Sequence, residues 1–295
     1  MKLIAVAFVA LSTLASPRAR GEAGATRAAP ASPAPSVPAT PPGVAGSDGV
    51  APASTSAPRS PGAGATVAAQ LAHIDELHHR RDDAAAWAEE QRLVQATLAR
   101  APNDYGVLWR AARLYFWLSD DPGSTSEQRS RWGQQGWDLA EHAVAVNPND
   151  AAGHYWAGVC MGNYALGLGV MKALAKGMEG KFKERLKRAG ELNPLYERGS
   201  IDVAWGRFYD KLPWPKRDRK KAQEHLRRAL QVNPNNLRAK VFLAASLMDD
   251  DHPADAKVLL EEVAAAPPGK NDAAEERRAK ALGARAMTDV LAKLR

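Results

Sequence analysis

Residues 228–235 read RALQVNPN, and nearly the same phrase occurs at 142–149 as HAVAVNPN, at 188–195 as RAGELNPL and, degraded, at 97–104 as TLARAPND. Each copy sets small and apolar residues at helical spacing just ahead of a proline. A proline denies the preceding helix a backbone donor and pushes its own predecessor toward extended conformation, so each phrase predicts a helix end. The Asn or Asp that follows offers a side chain to cap the next helix. Prolines 102, 148, 194, 234 and 268 are separated by 46, 46, 40 and 34 residues. A period of about 34 residues closing on proline is the mark of antiparallel helix pairs stacked into a superhelix. The first three intervals then carry insertions.

From Thr66 onward nearly every stretch has helical periodicity and none alternates convincingly as a strand, so the expectation is an all-α solenoid over residues 67–295. Residues 271–295 are expected to close the stack as a terminal helix, with Glu275, Glu276, Arg277 and Arg278 supplying the polar outer cap that solenoids need.

The start of the chain reads differently. Met1-Lys2 and the apolar run LIAVAFVALSTLA (3–15) have the layout of a secretory signal peptide, with small-residue cleavage positions after Ala15 or Ala23. Residues 1–23 are therefore expected to be a signal peptide, and the protein periplasmic or secreted. Residues 24–66 are dominated by Ala, Pro, Ser and Gly, with ten prolines between Pro17 and Pro61. Such a segment has too few large apolar side chains to offset ordering entropy, and is expected to be a disordered linker. Cys160 is the single cysteine, so no intramolecular disulfide can form, and it reads as a small buried apolar residue.

The phrases LWRAARLYFWL (108–118), GHYWAGVCMG (153–162), GRFYDKLPWP (206–215) and KAQEHLRRAL (221–230) carry a resemblance to a known family. The chain resembles tetratricopeptide-repeat proteins, and more specifically the T components of TRAP-transporter systems. That resemblance implies a non-enzymatic scaffold, accessory to a solute-uptake system, that passes an apolar or carboxylated ligand to or from a periplasmic solute-binding protein. Members of that family are often lipoproteins, and no lipidation cysteine stands near the leader here.

The repeat frame of the family also implies which side chains line the concave face. It selects Trp109, Arg113, Phe116 and Trp117 in the second repeat, and Tyr155, Val159, Gly162 and Asn163 in the third. In the fourth it selects Arg198, Ile201, Trp205, Phe208 and Tyr209, and in the fifth Val241, Ala245 and Met248. An apolar patch of that size usually marks a binding site. Arg113 and Arg198 are placed to meet a carboxylate at the edge of the groove. The segment ALGLGVMKALAKGM (165–178) leaves two outcomes open: it fills the concavity and turns the aromatics into core, or it roofs a pocket. A different reading of the same groove is an adaptor of a cell-envelope assembly gripping a partner peptide.

No zinc-type His/Cys spacing, phosphate-binding glycine loop or serine nucleophile elbow occurs, so neither a cofactor, a metal nor an enzymatic activity is expected. The pairs Glu89-Glu90 and Glu261-Glu262 read as solvated faces. Between Lys176 and Lys240 there are 18 basic and 8 acidic residues, with KRDRKK (216–221) the densest run. With no nucleic-acid motif present, that charge fits an acidic partner protein or anionic headgroups.

Overall fold

The computed structural model describes residues 66–267, 269 and 272–295. The expected signal peptide, and all of the expected linker but Thr66, lie outside them. Twelve α-helices and no strand occur among the described residues.

In chain order these are α1 (Val67–His79), α2 (Ala84–Arg100), α3 (Tyr105–Ser119), α4 (Ser126–Val146), α5 (Ala151–Leu168) and α6 (Val170–Ala175). They continue with α7 (Met178–Leu192), a 3-10 turn (Tyr196–Gly199), α8 (Ser200–Lys211), α9 (Arg219–Val232), α10 (Leu237–Asp249), α11 (Pro253–Ala265) and α12 (Ala273–Lys293). The prolines end the helices as their chemistry dictates: α2, α4, α7 and α9 each stop two residues before Pro102, Pro148, Pro194 and Pro234. Beyond them Asp104, Asp150 and Asn236 accept hydrogen bonds from Val107, Ala152 and Ala239 N–H groups and so cap α3, α5 and α10. Thr66 caps α1 in the same way through Ala69 N–H.

Successive helices pair and stack in series, each pair burying small and aliphatic residues such as Ala112, Ala140 and Ala157, or Ala229, Ala244 and Ala256. The tightest contact is between α4 and α5. A Cβ on Gly133 would come within 2.5 Å of the Tyr164 backbone nitrogen, so only glycine permits that approach.

Two places depart from a regular stack. Ahead of α8, Glu197, Arg198 and Gly199 all take positive φ (48°, 52° and 93°). This turn resets where α8 begins, and each residue of offset rotates a helix by about 100°. The second departure is α12. Its apolar side, with Ala279, Gly283 and Val290, packs against both α10 and α11 and closes the stack as the expected terminal helix, with Val241 and Val263 close to Gly283.

The charged first turns of α12 are not, however, the polar outer cap expected from sequence. They reach back to the first repeats. Arg278 donates to the Trp117 carbonyl at 3.1 Å and lies 3.4 Å from Asp121, Asp272 accepts from Arg81 at 2.7 Å, and Arg277 pairs with Asp82. Glu275 pairs with Arg238, whose other amino group meets Asp120 at 2.6 Å.

Candidate functional site

The stack and α12 together enclose a cavity of about 790 Å³. α3 contributes Trp109, Arg113, Phe116 and Trp117; α5 contributes Tyr155, Trp156, Val159, Gly162 and Asn163. The inserted segment supplies one wall through Val170 and Leu174 of α6 and Met178 and Phe182 of α7. It lines the hollow and leaves it open. The rest of the lining includes Ala204, Arg207 and Phe208 from α8, Phe242 and Arg238 from α10, and Glu275 and Ala279 from α12.

Of the nine side chains singled out from sequence, Trp109, Arg113, Phe116, Trp117, Tyr155, Arg198 and Phe208 line this cavity. Trp205 and Tyr209 do not. They stack on each other at 5.9 Å and on His225 at 5.7 and 5.6 Å, between α8 and α9. The left-handed turn before α8 explains the difference: the inward face runs through Ser200, Val203, Ala204, Arg207, Phe208 and Lys211, about one residue out of step with the repeat frame. In the last repeat Leu237, Arg238 and Phe242 face the cavity, because α12 occupies the side of α10 that carries Val241.

The cavity is aromatic at its centre. Trp156 meets Phe116 at 5.5 Å and Tyr155 edge-on at 5.0 Å, and its indole N–H donates to the Tyr196 hydroxyl at 3.1 Å. Phe182 stacks on Phe208 at 4.7 Å.

Its charged groups fall into two kinds. Most are already paired. Arg113, expected to be free for a ligand, donates to Asp75 at 2.8 Å, and Arg110 donates to the same carboxylate at 2.6 Å. Burial would raise the Asp75 pKa, but the hydrogen bond from Arg110 and the charge of Arg113 hold it below the usual carboxylate range. Arg238 is held between Asp120 and Glu275, which raise its pKa against the effect of burial.

Arg207 is different. No hydrogen bond or ion pair reaches it among the described residues; its guanidinium lies 4.4 Å from the Phe242 ring centroid, and desolvation lowers its pKa although the charges of Asp210 and Asp120 act against that. It opens on the cavity, where an anion would relieve that desolvation. Arg198, exposed at the rim, also has no ion pair among the described residues.

Sequence reasoning missed two groups here. Arg207 was one; the other is Glu90, which is fully buried rather than solvated, and shares a 2.8 Å hydrogen bond with His78. Burial pushes the Glu90 pKa up to about 7 and pushes that of His78 well below its ordinary value. The signal was present: Ala86, Glu90, Leu93, Val94 and Thr97 form a single buried stripe on α2.

Cys160 is buried, its thiol raised by desolvation and directed to the Ala112 carbonyl at 3.5 Å, so it is not an activated nucleophile. No group of three or more His, Cys, Asp or Glu arranged to hold a metal occurs among the described residues.

Comparison with known proteins bears on the fold. Residues 70–200 match the family model of regulator of microtubule dynamics proteins 1-3. No curated protein sequence matches the chain. Among solved structures, TTC0263, a thermophilic TPR protein in Thermus thermophilus, is similar at 16% identity and a TM-score of 0.57, covering 76% of this chain and 100% of that one. MamA is 14% identical, with a TM-score of 0.40 over 72% of this chain and 95% of its own. YrrB, a TPR protein described with an unusual peptide-binding site, is 16% identical, with a TM-score of 0.37 over 68% of this chain and 95% of its own. The chain is a tetratricopeptide-repeat superhelix.

Proposed function

We propose that this chain is an exported binding scaffold that holds an apolar, carboxylated ligand in the cavity, as an accessory of a TRAP-type solute-uptake system. The observation that carries the reading is Arg207, a cation without an ion pair among the described residues, in an aromatic hollow of about 790 Å³. That volume lies in the usual range for small-molecule sites, roughly 300–1,000 Å³, which are mostly apolar with a few convergent polar groups. At about 25 cal/mol per Å², covering three or four aromatic side chains contributes on the order of several kcal/mol before ordering costs. An aliphatic chain against Phe182, Phe208 and Met178 would place a carboxylate within reach of Arg207. Support for a TRAP-type role comes from the resemblance carried by residues 108–118, 153–162, 206–215 and 221–230.

Native mass spectrometry of the purified protein tests this. A stoichiometric small acid released on denaturation supports the reading. A peptide recovered in its place would favour the envelope adaptor, and an empty protein that takes up neither would end both.

A further inference from the structure

Away from the cavity interior, one edge of the molecule joins exposed apolar side chains to unbalanced positive charge. Trp214 is 89% exposed in the turn after α8, between Pro213 and Pro215, and Met171 on α6 is 67% exposed. The two segments lie at the same end. Lys216, two residues past Trp214, pairs with Glu179 in the first turn of α7, and Lys211 and Leu212 line the cavity together with Val170, Leu174 and Met178. On α6 the inward side chains are Ala173 and Leu174, so Met171, Lys172 and Lys176 point outward.

The charges at this edge do not cancel. Lys211, Lys216 and Lys221 pair with Asp210, Glu179 and Asp218, whereas Lys172, Lys176, Arg217 and Lys220 have no salt bridge among the described residues. An indole held out in water at the tip of a turn is unfavourable, but the boundary between headgroups and acyl chains suits it, since its ring is apolar and its N–H is polar. Clustered lysines and arginines beside it are attracted to the negative potential of an anionic leaflet.

We propose that this edge, the turn around Trp214 together with the outer face of α6, docks on an anionic lipid bilayer. Trp214 and Met171 enter the headgroup region while Lys172, Lys176, Arg217 and Lys220 meet anionic headgroups. A lipid surface fits better than an acidic protein because the indole projects from a turn flanked by prolines. A folded partner would have to bring a dedicated pocket for it, whereas a bilayer yields to it anywhere. Leu212 is both two residues from Trp214 and part of the cavity wall, so docking would set the α6–α7 end of the cavity beside the membrane.

The test uses the full chain with vesicles of phosphatidylcholine, with and without phosphatidylglycerol. Subtracting the emission of Trp214→Phe from that of the parent isolates Trp214 from the other tryptophans, whatever the remainder of the chain does on the vesicle. The expected result is a blue shift of this difference emission and its quenching by acyl-brominated lipid. Both should occur only on vesicles containing phosphatidylglycerol and reverse at high salt. Reversing charge at both Lys172 and Lys176 with Glu should weaken vesicle binding by roughly 30-fold or more, while Arg285→Glu on the exposed side of α12 should leave it nearly unchanged. Difference emission that stays that of a water-exposed indole on anionic vesicles would overturn the proposal. So would equal binding by the Lys172→Glu/Lys176→Glu variant and the parent.

Discussion

Arg278 lies over the indole of Trp117 with its guanidinium carbon 3.3 Å from the ring centroid, although 161 residues separate them. Arg81 lies over the same ring at 4.1 Å. The last helix is thus tied to the first two repeats by direct charge and aromatic contacts, with Arg277 paired to Asp82 and Asp272 to Arg81 beside the Arg278–Trp117 contact.

This clasp is expected to be local in its energetics. A cation over an aromatic ring contributes about 0.5–2 kcal/mol, and the ion pairs beside it weaken with salt. Arg278→Ala should therefore speed hydrogen exchange in the first turns of α12 while leaving α10 and α11 protected. High salt should have the same effect on the parent. Exchange in α12 unchanged by either would mean that packing against Val241 and Val263 alone holds the helix closed.

The buried Glu90–His78 pair makes a prediction about pH. Glu90 has a folded pKa of about 7 against an ordinary value of 4.5. The native state therefore binds the extra proton between those values, so the Glu90 contribution is greatest at acid pH and is lost as pH rises toward 7. His78 is shifted the other way, and its contribution is present above its ordinary value of 6.5 and lost as pH falls through the lowered one. Folding thus tends to move a proton from the histidine to the carboxyl, and the two opposite shifts offset each other in part as pH changes. Glu90→Gln removes the compensation. Urea denaturation of both proteins should show the parent's stability relative to Glu90→Gln falling by on the order of 3 kcal/mol from pH 4.5 to 7. A difference independent of pH would show that Glu90 stays ionised when buried.

Glycines divide sharply by what surrounds them. At Gly133 an added Cβ would press on the Tyr164 backbone, so Gly133→Val should cost about 1–3 kcal/mol or more. At Gly180 on α7 nothing lies within 4 Å, and Gly180→Ala should stabilise by about 0.5–1 kcal/mol through helix propensity. Thermal unfolding of the two variants checks both signs, and a tolerated valine at Gly133 would contradict the close α4–α5 approach.

The sequence exposed whatever is decided within a few residues. The Asn-Pro and Ala-Pro helix ends, the caps at Asp104, Asp150 and Asn236, and the inward faces of α3 and α5 all follow from local stereochemistry and periodicity. The misplacement of Trp205 and Tyr209 came from Glu197 and Arg198, which adopt positive φ although neither residue type announces it. Only Gly199 does. The role of α12 was hidden for another reason: its partners Asp82, Trp117 and Asp121 are distant in sequence, and charged first turns look alike whether they face water or a facing repeat. Arg207 was passed over because the repeat frame, unaware of the turn before α8, put it off the concave face.

Under the proposed function the hollow between the repeats is a ligand site with Arg207 as its anion-binding group. The most direct measurement is a titration of the full chain with a fluorescent long-chain fatty acid, beside Arg207→Gln and the cavity-filling Ala204→Trp, each first shown to be folded by circular dichroism. Saturable one-to-one binding by the parent, roughly tenfold weaker in Arg207→Gln and abolished in Ala204→Trp, is the predicted result. Undiminished binding in a folded Ala204→Trp, or no saturable binding by the parent, would contradict it.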